Sequence, residues 1–208
     1  AIRRSLESRE SLLSQAFPDV STMYENFLRG YHISKERSCL GWRTKNPDGS
    51  AGPYTWQTYQ TVHERIHHFG CGLLKLGVKA GDHMGIYSIN RPEWTIAELG
   101  GYSQSVVNIA LYDTLGADAV EYIINQAQIG SVVCSADKIG KILAVQEKAP
   151  SVRLLIQMDG ALSDENKASA ASHNVELKTF AEVEELGKAH PCDVNKPKPS
   201  DLATIMYT

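Results

Sequence analysis

The feature that most constrains this chain is a rhythm that begins near Tyr54. Short runs that are apolar throughout alternate with longer segments whose apolar residues recur at helical spacing. The apolar runs are Met84–Ser88, Val106–Leu111, Ser131–Cys134, Val152–Gln157 and Leu202–Tyr207. A strand that is hydrophobic on both faces must be covered on both faces, which points to a parallel sheet between two helix layers. The segments between supply those helices. Val62, Ile66, Phe69, Leu73 and Leu76 form one stripe after a Thr58 cap, closed by Gly77, and Val120, Ile123, Ile124 and Ala127 form another. Residues 137–148 make a third, stopped by Pro150, and a helix to about Lys188 starts at the capping box Thr179-x-x-Glu182. The predicted fold is therefore α/β, an open doubly wound, mostly parallel sheet with helices on both faces. Such sheets bind ligands beyond the carboxyl ends of their strands.

Residues 1–53 read differently and are predicted to be a lead-in. Residues 1–20 are mixed and polar, Thr22-x-x-Glu25 caps a helix over about 22–32, and Cys39–Arg43 is extended. Turns are expected at Asn46–Ser50 and at Gly52-Pro53, and residues 159–174 read as a polar loop. With 21 Lys and Arg against 24 Asp and Glu, the formal charge is −3, so no basic excess marks a nucleic-acid partner. No apolar stretch approaches the roughly 18–20 residues that span a bilayer. The four cysteines are scattered without a C-x-x-C pair, which predicts reduced thiols buried as small hydrophobes.

Several segments carry candidate chemistry. His63-Glu64-Arg65-Ile66-His67 is an H-E-x-x-H pattern, which on a helix presents two imidazoles and a Glu as zinc hydrolases do. The position a third ligand would need is Leu73, and the apolar stripe makes the segment a core-packing helix. Ser88–Trp94 is a strand-to-helix junction, with Asn90 expected as cap, Pro92 in the first turn and Glu93 at the third helical position. Trp94 and Trp56 are expected to serve packing rather than chemistry. Leu111–Gly116 is a second such junction, where Asp113 or Thr114 could cap the next helix and Gly116 could permit a tight turn. The third is Asp201–Thr208, a strand ending at the point where a Gly-, Ser- and Thr-rich turn would cradle phosphate with backbone N–H groups.

Taken together these segments resemble the amino-terminal third of a long-chain acyl-CoA synthetase of the adenylate-forming superfamily. The resemblance rests on TMYENFLRG at 22–30, CLGWR at 39–43, GPYTWQTY at 52–59, INRPEW at 89–94, LYDTLGADAVEYIINQA at 111–127 and DLATIMYT at 201–208. One departure is Ala110, where the family usually has Pro. The resemblance implies that residues 54–208 are a partial AMP-binding (adenylation) domain. It implies an enzyme that uses ATP, Mg2+ and coenzyme A to turn a long-chain fatty acid into acyl-CoA through an acyl adenylate. Of that machinery it assigns only Thr208, as the start of the ATP phosphate loop; the Mg2+ and ribose ligands are expected beyond it. The start at Ala1 and the stop at Thr208 suggest a fragment, inactive alone. A membrane anchor is expected upstream of residue 1, at the endoplasmic reticulum or mitochondrial outer membrane, with the peroxisome open. Two other readings stand beside this one: a zinc-dependent hydrolase built on His63 and His67, and a non-catalytic nucleotide- or acyl-binding module.

Overall fold

The computed structural model describes residues 4–9, 11–13, 15–112 and 116–207. A one-turn 3-10 helix (Leu6–Ser8) precedes α1 (Met23–Ser34), and the antiparallel strands β1 (Ser38–Lys45) and β2 (Ala51–Thr58) follow. Thereafter the order is α2 (Tyr59–Lys75), β3 (His83–Tyr87), α3 (Pro92–Ser103), β4 (Val107–Ala110), α4 (Ala117–Ala127), β5 (Ser131–Cys134) and α5 (Ala136–Val145). The chain closes with β6 (Leu154–Gln157), α6 (Asp164–Ser172), β7 (Glu176–Thr179), α7 (Phe180–Ala189) and β8 (Thr204–Ile205). Strands β3 to β8 form one sheet in the order β7-β6-β5-β3-β4-β8, with every neighbouring pair parallel.

The strands are apolar on both faces because both faces are covered. Met84, Ile86, Val133 and Ile156 pack with Val62, Ile66 and Phe69 of α2, Ile96 of α3 and Val183 of α7. Tyr87, Ile109, Val132 and Leu155 point the other way, onto Val120 and Ile124 of α4 and Ile139 and Ile142 of α5. The doubly wound prediction is met.

Local expectations fared unevenly. Thr22, Thr58 and Thr179 cap their helices through side-chain oxygens, and Thr179 and Glu182 complete a capping box. Glu25 instead turns its carboxylate to the N–H and hydroxyl of Ser21. The stretch 159–174 is not all loop. Ser163 accepts from the N–H of Asn166 and starts α6, whose Ala-rich, polar sequence has helix propensity without an apolar stripe to announce it. Strand β7 was not anticipated; its residues Glu176–Thr179 are only partly buried at the sheet edge. Gly52 and Pro53 make no separate turn. They are the two residues of a bulge in β2 that face the single residue Thr44, between the pairs Arg43↔Tyr54 and Lys45↔Ala51, where a missing N–H is harmless. The hairpin thus straddles residues 53 and 54.

Trp94 is partly buried against the α2–α3 core, so its truncation falls short of a fully buried tryptophan's cost. Trp56 is 55% exposed, stacked on Tyr54 and lying over Gly41, and is no core residue. The reduced-thiol expectation is also corrected: Cys71 and Cys192, 121 residues apart, are paired as a disulfide, while Cys39 and Cys134 are free.

Helices α2 and α7 meet backbone to backbone. A methyl group at Gly187 would overlap the carbonyl oxygen of His68, and one at Gly72 would overlap that of Val183. Ring stacking of Phe69 on Phe180, with centroids 4.4 Å apart, seals the same seam. Gly187→Ala is therefore expected to destabilise the fold by about 3 kcal/mol, the upper range for overpacking. Gly140→Ala, which meets nothing within 4 Å inside α5, should gain about 0.5–1 kcal/mol of helix propensity. Urea unfolding of the two variants beside the parent checks both signs.

Candidate functional site

The carboxyl ends of the parallel strands gather on one side of the sheet. The chain leaves β3 for β4 in one direction and leaves β5 for β6 in the other, so β3 and β5 flank the topological switch point. A cavity of about 400 Å3 opens there, lined by Ile89 and Arg91 after β3, Ser135 to Lys138 at the start of α5, and Asp159 after β6.

This crevice is occupied by the protein's own charges. Asp159 accepts the N–H of Ala136, in the first turn of α5, at 2.6 Å and pairs with Nη1 of Arg91 at 2.7 Å. A helix N-terminus with no side-chain cap thus already has its anion. Arg91 also binds Glu93 through Nε at 2.7 Å. Burial alone would push the guanidinium down, yet Asp159 and Glu93 together hold it above its ordinary value. Arg65 approaches the other oxygen of Glu93 at 4.0 Å and grips Glu184 of α7 through two bonds, at 2.7 and 3.1 Å. The chain of charges ties α2, α3, α5, α7 and the end of β6 together. Beside it Lys138, 5% exposed, pairs with Asp137 at 2.8 Å and lies over the Tyr87 ring.

The Ser88–Trp94 junction therefore works as a brace. Asn90 is not the cap; Arg91 holds the N-cap position with extended backbone and no side-chain cap, Pro92 is the first helical residue and Glu93 the second. Extended backbone is what the residue before a proline prefers, which moves the cap one residue forward.

At the opposite edge of the sheet lies the β4–β8 pair. Ile109 pairs with Ile205, Asn108 donates its N–H to the Ala203 carbonyl at 3.0 Å, and Thr204 Oγ1 donates to the Asn108 carbonyl at 2.8 Å. Only two residues of the expected Leu202–Tyr207 strand are in the ladder. Continued beyond Ile109 and Ile205, that register sets Met206 level with Ala110 and Tyr207 level with Leu111, so the two junctions emerge at one corner. Asp113, Thr114 and Thr208 lie outside the described residues. Gly116 caps α4 at φ −66°, using no glycine-only conformation. Ala110 sits in register with Ile86, and the next residue, Leu111, donates to the Ile86 carbonyl at 2.9 Å.

The H-E-x-x-H residues are engaged in packing. His63 lies flat on Tyr31, centroids 4.1 Å apart and planes 3° apart, and Glu64 accepts from Gln60 at 2.6 Å. Leu73 is wholly buried, and among the described residues no three His, Cys, Asp or Glu side chains gather as a metal set. Sequence reasoning missed Asp159 and Glu184, whose partners lie 68 and 119 residues away.

Two predictions follow from these contacts. Arg91→Ala strands two carboxylates and should cost about 2 kcal/mol, below the fully buried value because both pairs touch solvent. Arg91→Lys, a point charge without the planar fork, should recover only part of it in urea melts. His63 is held below its ordinary value by burial, helped by His67 and His32 and opposed by Glu64. As pH falls through about 6.5 the unfolded chain takes up this proton before the folded one, so stability is lost on acidification. Thermal melts from pH 7.5 to 5.5 should show that loss, and the His63→Gln variant should show less of it.

Comparison with known proteins places this corner in context. Residues 37–208 match the family described as AMP-binding enzyme. Long chain acyl-CoA synthetase 6, peroxisomal, of Arabidopsis thaliana is 35% identical over 209 residues, covering 100% of this chain and 30% of that protein. Long-chain-fatty-acid–CoA ligase 5 of Mus musculus is 35% identical over 213 residues, with the same shares. The chain thus spans about a third of the length of these relatives. Among solved structures, the anthranilate CoA ligase AuaEII in complex with anthranoyl-AMP superimposes with a TM-score of 0.74 at 14% identity, over 95% of this chain and 34% of that one. The long-chain-fatty-acid–CoA ligase FadD1 from Archaeoglobus fulgidus gives 0.72 at 17% identity, over 93% and 35%. A parallel sheet covered by helices on both faces is thus the fold shared with these structures, and this chain belongs to the AMP-binding enzyme family.

Proposed function

We propose that the chain is part of a long-chain-fatty-acid–CoA ligase, which activates a fatty acid with ATP through an acyl adenylate and passes the acyl group to coenzyme A. The observation that carries this reading is the parallel β4–β8 pairing, whose register sets Met206 and Tyr207 of DLATIMYT level with Ala110 and Leu111 at the other junction. A carboxylate is a poor acyl donor, and attack on the α-phosphate of ATP gives it a good leaving group, AMP, which the coenzyme A thiol then displaces. Backbone N–H groups in a turn after a parallel strand are placed to take up the charge developing on the phosphates. Thr208 opens that turn in this reading, through its amide and hydroxyl.

Within it, residues 54–208 form part of an adenylation domain and residues 1–53 lead into it. The carboxylates of Asp159 and Glu93 are already engaged, and the described residues hold no metal set. They do not fit Mg2+. Of the cellular addresses, the peroxisome has the support of the Arabidopsis relative's name. No helix among the described residues is long and apolar enough to cross a membrane. The anchor expected upstream of residue 1 finds no support among them.

The test is palmitate-dependent exchange of pyrophosphate into ATP by the protein encoded by the complete gene. Exchange is expected, and Thr208→Val should lower its rate by about 100-fold, as loss of one charge-stabilising donor does, with the urea midpoint unchanged. Absence of exchange, or an unaltered rate in the variant, would overturn the assignment. The 208-residue chain by itself should release no pyrophosphate above a heat-killed control.

A further inference from the structure

The disulfide belongs to none of the chemistry above, and its surroundings give it a separate role. Cys71 lies on α2, wholly buried, and Cys192 is partly exposed, three residues beyond the end of α7. Their Cα atoms are 5.5 Å apart. That separation is set by the glycine seam between α2 and α7, since Gly72 adjoins Cys71 and packs on the Val183 carbonyl. The two sulfurs are thus presented to each other by helix packing whether or not they are bonded.

The pair also has the polar neighbours that thiol exchange needs. His67, one turn earlier on α2, holds Nε2 3.8 Å from the Cys71 sulfur, and the N–H of Cys192 points at the same sulfur at 3.0 Å. An imidazole accepts the thiol proton, and an N–H donor favours the thiolate. The free cysteines differ: burial pushes the Cys134 thiol far up, and the Cys39 thiol up as well.

What the bond clamps is the strap between α7 and β8. Beyond Cys192 this strap is held by Val194, partly buried against the core beneath α2, and by a few polar contacts. Gln104 donates to the Asp193 carbonyl at 3.4 Å and accepts from the Asn195 N–H at 3.4 Å, and Ser105 donates to the Asn195 carbonyl at 2.8 Å. The strap then delivers β8, whose ladder with β4 is two residues long. A strand so short depends on its tether for its register.

We propose that Cys71 and Cys192, served by His67, form a reversible thiol–disulfide site that clamps the 190–203 strap and thereby the placement of β8. The oxidant is a low-molecular-weight disulfide of the glutathione class. The partly exposed Cys192 thiolate attacks it, forming a mixed disulfide and expelling one thiolate. Cys71 gives its proton to His67, and its thiolate attacks the Cys192 sulfur, expelling the second. Two protein thiols and one small disulfide become one protein disulfide and two small thiols, and the reverse exchange opens the clamp. The inference does not depend on the ligase reading.

The experiment equilibrates the purified protein encoded by the complete gene in graded mixtures of glutathione and its disulfide, alkylates free thiols and maps cysteine peptides by mass spectrometry. Cys71 and Cys192 are expected to lose alkylation together, in one two-electron transition, with a linked 71–192 peptide and no change at Cys39. Amide hydrogen exchange across 192–205 should rise by about tenfold on reduction, as local opening becomes easier. In Cys192→Ser it should be fast and indifferent to glutathione. His67→Gln should reach the same end state about tenfold more slowly, the loss expected for a modest proton acceptor. Stable glutathione on Cys192 with Cys71 still alkylatable would overturn the proposal. So would equal exchange of the strap in the oxidised and reduced wild-type chain, a comparison that needs no variant to fold.

Discussion

The contact on which most of this molecule depends is the close approach of α2 and α7. Two glycines, Gly72 and Gly187, remove the side chains that would hold these helices at the usual 8–10 Å. Helices packed that closely bring Phe69 onto Phe180 and place Arg65 within two hydrogen bonds of Glu184. The same seam sets Cys71 opposite the chain that leaves α7. Each of these contacts joins residues more than a hundred positions apart, and each is a consequence of one interhelical distance.

From Arg65 the order passes to the sheet. Glu93 connects Arg65 to Arg91, and Arg91 connects to Asp159 at the N-terminus of α5. The effect is chemical as well as mechanical. The switch point of an open α/β sheet is where an anionic ligand would ordinarily be sought, because strand ends and helix dipoles converge there. Here the converging donors are already satisfied by Asp159, and the carboxylate is neutralised by Arg91. On the far side of β3 lies the β4–β8 corner. That corner is held more lightly, by a two-residue ladder and the strap that precedes it. A rigid brace beside a lightly tethered strand suits a site whose loops must close around a ligand and release it.

The sequence was a good guide to elements and a poor one to partners. Thr58 and Thr179 declare their helices because a cap oxygen and the N–H it accepts from lie within three residues. The strands from Met84, Ser131 and Leu154 declare themselves because burial on both faces leaves no polar alternation. Helix α6 was missed because its Ala, Glu and Lys residues carry propensity but no apolar stripe, and β7 because an edge strand is only half buried. The cap at Arg91 was misplaced by one residue, since the restriction that Pro92 imposes on its predecessor outweighed the side-chain preference of Asn90.

By itself, then, the amino-acid order determined the fold class, most helix starts and the family, since these follow from local hydrogen bonding, apolar periodicity and the succession of short motifs. Only the tertiary structure decided what the singled-out residues do. His63 became a packing face on Tyr31, Arg91 a brace between Glu93 and Asp159, and Cys71 half of a disulfide. The reason is physical. A helix or strand is specified by neighbours within about one turn, whereas a side chain's charge, partner and access to solvent are set by whatever the rest of the chain packs against it.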